Sequence, residues 1–161
     1  MKKIPLTKGK VALVDDEDYD NLIKFKWFTK VLKSNFYAIR NTNRRLGERP
    51  TTVRMHRVIL NVQDPSVLVD HKDHNGLNNC RSNLRLVNPA QNNWNRRSRA
   101  RSSSRFVGVS FHKRDKKWQA QIYLNGRIVH LGQHSTEREA VTARDAAAKA
   151  HWGEYAHINL K

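Results

Sequence analysis

Between Val69 and Val87 the chain concentrates side chains able to do chemistry on a phosphate: Asp70, His71, Asp73, His74, Asn78, Asn79, Arg81, Asn83 and Arg85. Asp70 and His71 end an expected strand, Asn83 opens the returning one, and Asn92 sits one turn into the helix that follows, 22 residues beyond Asp70. A carboxylate and a side-chain carbonyl converging from a strand and a helix can share one hard divalent ion such as Mg²⁺, with waters and phosphate oxygens completing the shell. A neighbouring imidazole can then activate water for attack on phosphorus. The single cysteine, Cys80, has neither a disulfide partner nor a C-x-x-C companion for structural zinc, and is read as inert.

The elements that must carry these residues are legible as short strands and few helices. Val11–Val14, Lys26–Leu32, Asn35–Arg40, Thr51–Met55, Val67–Val69 and Asn83–Val87 read as strands, with Lys33-Ser34 as a hairpin turn. His56–Leu60 reads as a short helix, and Asn88-Pro89 supplies an N-cap and a first-turn proline for the next one. Arg96–Arg105 has no apolar periodicity and reads as a Ser/Arg-rich linker. Beyond it, Phe106–Phe111, Lys117–Leu124 and Arg127–Leu131 suit three strands, the last two joined by Asn125-Gly126, a strong hairpin signal. Thr136 and Glu139 form a capping box for a helix running to about Trp152, with Gly153 as its stop. Ala140, Ala143, Ala147 and Ala150 recur at helical spacing and should let that helix lie close on the sheet.

Charge argues about partners rather than fold. The 161 residues hold 31 Lys and Arg against 14 Asp and Glu, a formal net charge of +17. Five of the acids crowd Asp15–Asp20, and from His74 to Arg114 there are nine Lys and Arg and no acid. That balance points to phosphate contact. No apolar run approaches the roughly 18 residues of a membrane span, and the N-terminus lacks the apolar segment of a secretory signal. A cytoplasmic, non-secreted protein is expected.

His56-Arg57, Val69–His71, Asn78-Asn79, Asn83–Arg85 and Gln91-Asn92 fall in the order of the HNH nucleases, and residues 4–97 resemble the variety found in phage and intron homing endonucleases. The stretch from Val11 to Asp18 and Trp27 also look like that family's N-terminal part. The resemblance implies a ββα-metal fold, with His71 as general base and Asp70 and Asn92 as ligands of one Mg²⁺ or Mn²⁺ per active site. Asn83 would tie the loop that orients His71. The third named position is Asn92 rather than histidine, which favours one hard ion over zinc. Arg81 and Arg85 would face the DNA, Arg81 either stabilising charge on the phosphate or standing solvated. His56 is read either as packing beneath the site or as a phosphate contact. His74 is read as a loop residue in preference to a second ligand, Asp73 as a turn-former, and Asn78 and Asn79 as loop-ordering residues.

Phe106–Val109, Lys117–Ile122, His130–Gln133, Thr136–Ala140 and Ala143–Ala147 resemble the APETALA-two / ethylene-response-factor DNA-binding domain, over nearly all of residues 104–160. Such a sheet can enter the major groove. Ser110, His112, Arg114, Gln119, Gln121, Tyr123, Ile128 and His130 would face outward, while Val109, Trp118 and Ile122 would be core. Plant domains carry several arginines on the first two strands; here Val107, Ser110 and His112 stand there, which implies looser base discrimination.

The expected fold class is therefore α+β: an HNH nuclease domain with a β-rich N-terminal part (1–97), a basic linker (98–104) and a three-stranded antiparallel sheet packed on one helix (105–161). Arg96, Arg97, Arg99, Arg101 and Arg105 should hold the DNA backbone. The expected function is metal-dependent, site-directed cleavage of double-stranded DNA by an enzyme of homing type, one strand per active site, as monomer or homodimer with no other protein partner. The alternative is a sequence-specific DNA-binding regulator with an inactive nuclease fold.

Overall fold

The computed structural model describes residues 1–32, 35–42, 51–95 and 102–160. The Lys33-Ser34 turn and the arginines Arg96, Arg97, Arg99 and Arg101 lie outside the described residues. The chain is of mixed α+β type, with several small sheets and few helices, and divides into two compact units, Met1–Asn88 and Pro89–Lys161. Among the described residues no helix is long and apolar enough to cross a membrane.

In the first unit β1 (Lys2–Pro5) pairs antiparallel with β2 (Val11–Val14), which leads into α1 (Asp16–Leu22). Strands β3 (Phe28–Leu32), β4 (Asn35–Asn41) and β5 (Thr52–Arg54) form an antiparallel sheet in that order. The short helix α2 (Met55–Ile59) follows without a break. Period-two alternation in β2 buries Ala12 and Val14 while Val11 stays exposed, as a half-buried strand requires. These residues join Ile4, Leu22, Trp27, Ala38, Met55, Ile59 and Leu84 in one core. Trp27 satisfies its indole N–H on Leu22 O at 2.8 Å, so the ring is buried without an orphaned donor.

Strands β6 (Leu68–His71) and β7 (Leu84–Val87) pair antiparallel. Asn83 does not open β7, as the alternation suggested, but closes a short 3₁₀ turn, Arg81–Asn83, just ahead of it. Arg57 on α2 donates to Val67 O and Asp64 O at 2.7 and 2.6 Å and so fixes the entry to β6. The loop between β6 and β7 is stitched to β2: Leu13 N–H donates to Leu77 O, and Asn79 N–H to Leu13 O, both at 2.8 Å.

In the second unit α3 (Pro89–Trp94) precedes the antiparallel sheet β8 (Val109–His112), β9 (Lys117–Leu124) and β10 (Arg127–His134), with β9 in the middle. Asn125 and Gly126 both have positive φ, 47° and 81°, the backbone of the two-residue turn that matches strand twist. Helix α4 (Glu137–Trp152) starts at the Thr136–Glu139 capping box and ends at Gly153, where φ is 54°.

Two expectations change here. The first strand begins at Val109, not Phe106, and the third extends to His134 through an irregularity between His130 and Gln133. The face of α4 turned to the core is Ala140, Val141, Arg144, Asp145 and Ala148, whereas Ala143 and Ala147 are half-buried and Ala150 is exposed. Two charged residues take core positions because they serve each other and the chain end. Asp145 accepts from Arg144 Nη1 at 3.0 Å and from Asn159 N and Leu160 N at 2.8 and 3.0 Å, and Arg144 also donates to His157 O. These bonds offset part of the cost of burying the pair, and burial still holds the Arg144 pKa below its ordinary value.

Candidate active site

His71 is the last residue of β6 and is 5% exposed. Three rings from three elements meet there. The imidazole of His56, on α2, stands edge-on to that of His71 at 5.0 Å between centroids, and Tyr37, on β4, lies 5.9 Å from His71 and 6.1 Å from His56. His71 Nε2 is 3.4 Å from Asn79 Oδ1. Burial pushes the His71 pKa below its ordinary value, against the opposing pull of Asn79, Asp73 and Asp70. His56 is pushed down to about 3, first by burial and then by His71, Arg54 and Arg57. Both rings are therefore neutral at pH 7, and a neutral imidazole can accept a proton.

The loop after His71 is tied by Asn83. Its side-chain oxygen accepts Asp73 N–H at 3.1 Å, and its amide donates to Asp73 Oδ1 at 2.9 Å and Asn78 O at 2.8 Å. Lys72 N–H reaches Asn83 O at 2.9 Å. Asp73 is the hub of this loop, accepting also from Asn75 N and Asn78 Nδ2, both at 2.8 Å. Partial burial would raise its pKa, but the hydrogen bonds from Asn78, Asn75 and Asn83 hold it below the ordinary carboxylate value. The outer turn of the loop is fastened to β4, where Asn35 Nδ2 donates to His74 O at 2.9 Å. Gly76 is required at this junction, because a Cβ there would stand 2.4 Å from Phe36 O.

Asp70 lies directly opposite Arg85 in the β6–β7 register, and Arg85 Nη2 and Nε donate to its Oδ2 at 2.8 and 3.0 Å. Arg81 is also engaged. Its guanidinium grips Asp18 at 2.7 and 2.9 Å and Glu17 at 2.9 Å, while its backbone N–H donates to Asp15 at 2.7 Å. The acidic run of α1 thus serves a basic partner far along the chain.

The first unit brings together Asp70, His71 and Asn83, with Arg81 and Arg85 held on neighbouring carboxylates. Asn92 is exposed, on α3 of the second unit. Sequence reasoning left the role of His56 open and missed Tyr37, since nothing local marks a β4 tyrosine as a neighbour of β6. Among the described residues no group of three or more His, Cys, Asp or Glu is placed to hold a metal. One carboxylate with amide oxygens is a donor set suited to a hard ion that keeps waters, not to a protein-caged one.

In the second unit the register pairs Ser110 with Gln119, Gln121 with His130, and Tyr123 with Ile128, all on the face opposite Val109, Ala120 and Ile122. Lys117 (opposite His112) and Gln133 (opposite Gln119) share that outward face and were not anticipated. Arg114 is exposed in the β8–β9 turn, where it and His112 pair with Asp115 at 3.2 and 3.1 Å. Arg105 lies over the Phe106 ring, 4.9 Å from its centroid.

The chain is 31% identical over 153 residues to the uncharacterized HNH endonuclease L560 of Acanthamoeba polyphaga mimivirus, covering 94% of this chain and 76% of that protein. The chain belongs to the HNH endonuclease family. This HNH protein is also 34% identical over 59 residues to Protein 3.8 of Escherichia phage T7, which is 37% of this chain and 49% of that one. Over 65 residues it is 37% identical to the AP2-like ethylene-responsive transcription factor TOE2 of Arabidopsis thaliana, 40% of this chain but 13% of the factor. No family model matches the sequence, and no solved structure matches it.

The buried histidines make stability depend on pH. The folded pKa of His56, about 3, lies below its unfolded value of 6.5, so the unfolded chain binds the proton first. Stability is full above 6.5 and falls as pH drops towards 3, by up to about 1.4 kcal/mol per pH unit for one such group. His71 adds in the same sense. Urea unfolding at pH 7.5, 6 and 5 should show this decline, and His56→Gln should make it shallower. A wild-type stability that stays flat from pH 7.5 to 5 contradicts it.

Proposed function

We propose that this HNH-family protein is a divalent-metal-dependent endonuclease of homing type that nicks double-stranded DNA, with His71 as the general base. The observation that carries this reading is a buried imidazole at the end of β6, beside a loop tied by Asn83. On this reading β6, β7 and α3, which follow one another along the chain, form a ββα-metal motif. Asp70 and Asn92 would supply oxygen donors to Mg²⁺ or Mn²⁺. When bound, the ion supplies charge neutralisation at the scissile phosphate and the leaving oxygen. His71 takes a proton from water as the water oxygen bonds to phosphorus and the bond from phosphorus to the leaving oxygen breaks. Asn83 keeps the loop, and with it the imidazole, in one orientation.

The outward face of β8–β10 would read the duplex. Ser110, His112, Gln119, Gln121, Tyr123 and His130 are its contacts, with Lys117 and Gln133 added from the register. The likeness to the plant transcription factor supports a DNA-binding role for the second unit. Arg96, Arg97, Arg99, Arg101, Arg105 and Arg114 would contact backbone phosphates. Tethering two modest binders raises their joint affinity without new contacts. One active site per chain handles one strand, so a double-strand break needs a second copy or a second event.

One observation favours the second reading, a DNA-binding regulator with an inactive nuclease fold: Asp70 is ion-paired with Arg85, so its carboxylate already has a cation. Supercoiled plasmid and phage DNA incubated with the protein and Mg²⁺, Mn²⁺ or EDTA separates the two. Relaxed plasmid with either metal and none in EDTA is the expected result. Retarded DNA that stays intact in every metal establishes the regulator instead.

A further inference from the structure

Tyr123 on β9 and Ile128 on β10 stand directly opposite each other in the register, beside the Asn125-Gly126 turn. They are 61% and 57% exposed, and apart from Met1 no large apolar residue among those described is more open to water. A cross-strand apolar pair steadies a hairpin modestly, but side chains this exposed forgo most of the gain from burial. The pair lies on the outward face, opposite the core residues Val109, Ala120 and Ile122. The next outward pair along the same two strands is Gln121 with His130, both able to hydrogen-bond. The three strands carry Lys117 and Arg127 and no carboxylate. Asp115, in the turn at the other end of β9, is held by Arg114 and Gln133. An apolar pair set in a polar, cationic surface fits a phosphate-rich partner with an apolar feature of its own. In the major groove of duplex DNA that feature is the C5-methyl group of thymine.

We propose that Tyr123 and Ile128 determine specificity: together they form an apolar contact for the 5-methyl group of thymine in the major groove. The inference rests on the reading of the second unit as DNA-binding, and it adds Ile128 to that unit's contacts. Excluding water between the two side chains and one methyl group raises affinity about fourfold. Cytosine, or uracil in place of thymine, leaves the pair facing a groove edge without that methyl. The ring of Tyr123 makes the contact, and its hydroxyl has no part in it. A pyrimidine is thus selected without a charged group at that place, in keeping with a face whose base-edge partners are glutamines and histidines rather than arginines.

In the test, the full-length protein in EDTA selects its site from random-sequence duplexes. Each thymine of that site is then replaced singly by uracil, which removes one methyl group and leaves every hydrogen-bonding group in place. At one or two neighbouring positions wild-type affinity should fall about fourfold. In Tyr123→Gln and Ile128→Gln that preference for thymine over uracil should shrink below about 1.5-fold, while Tyr123→Phe keeps it. Glutamine already stands at 119, 121 and 133 on this face, so the strands tolerate it. The uracil series on wild type needs no variant, so it decides the matter if a glutamine variant does not fold. A selected site without thymine, or affinity that no uracil changes, overturns the proposal. So does a preference kept in both glutamine variants or lost in Tyr123→Phe. In each of these cases DNA binding by the second unit still stands. Selection that enriches no sequence overturns the proposal too, and failure to bind any duplex also withdraws the reading it rests on.

Discussion

His71→Ala is expected to lower the single-turnover cleavage rate by about 10²- to 10⁴-fold, the range for loss of a general base. DNA affinity measured in EDTA should change less than about twofold, because a side chain 5% exposed offers little surface to a duplex. The ring that is removed packs against His56 and Tyr37, so some loss of stability accompanies it. His71→Gln, which fills more of that space, separates the two effects: it should unfold nearer to wild type yet cleave as poorly as the alanine variant. The wild-type rate should also persist below pH 6.5, since burial lowers the pKa of His71 and keeps its proton-accepting form populated there. Binding and cleavage that fall together in His71→Ala would remove the general-base assignment, as would a residual rate within about tenfold of wild type.

What the sequence made legible was local. The turn at Asn125-Gly126 and the capping box at Thr136 and Glu139 are set by residues within four positions of each other, and both stand where expected. Asp70 and His71 close β6 as the short alternation implied, whereas Asn83 stands just ahead of β7, in the 3₁₀ turn. What was not legible depended on distance along the chain. The five acids near α1 looked like a simple charge cluster, yet the partner of Asp18 is Arg81, 63 residues away. The third ring of the histidine pocket comes from Tyr37, whose strand carries no sign of what packs on it. Arg144 and Asp145 were hidden differently. The alanine spacing of α4 marked one edge of its buried face, Ala140 and Ala143, but not Arg144 and Asp145, because charged residues read as solvent-facing until the chain end that satisfies them is in place.

The Asp70–Arg85 pair carries the second large expectation. Both side chains are nearly out of water, 12% and 9% exposed, so the pair is not a surface salt bridge. Replacing one partner of such a pair leaves an uncompensated charge and typically costs about 3–5 kcal/mol, far more than the pair adds over a well-packed apolar isostere. Arg85→Met keeps much of the side-chain volume and should destabilise the protein by about that amount in EDTA at pH 7, read from urea unfolding. Asp70→Asn in the same background removes the stranded charge, and the double variant should recover most of the loss, the signature of direct coupling. A cation that binds the folded state alone stabilises it by mass action. If Asp70 is a metal donor, Mg²⁺ should therefore raise the unfolding midpoint of Arg85→Met more than that of wild type, and raise that of the double variant little. The two outcomes are separable. An Arg85→Met protein as stable as wild type would show that the pair carries no weight in the fold. A full loss of stability with no extra gain from Mg²⁺ would leave the pair structural and withdraw Asp70 from the metal site, which is the arrangement an inactive nuclease fold would have.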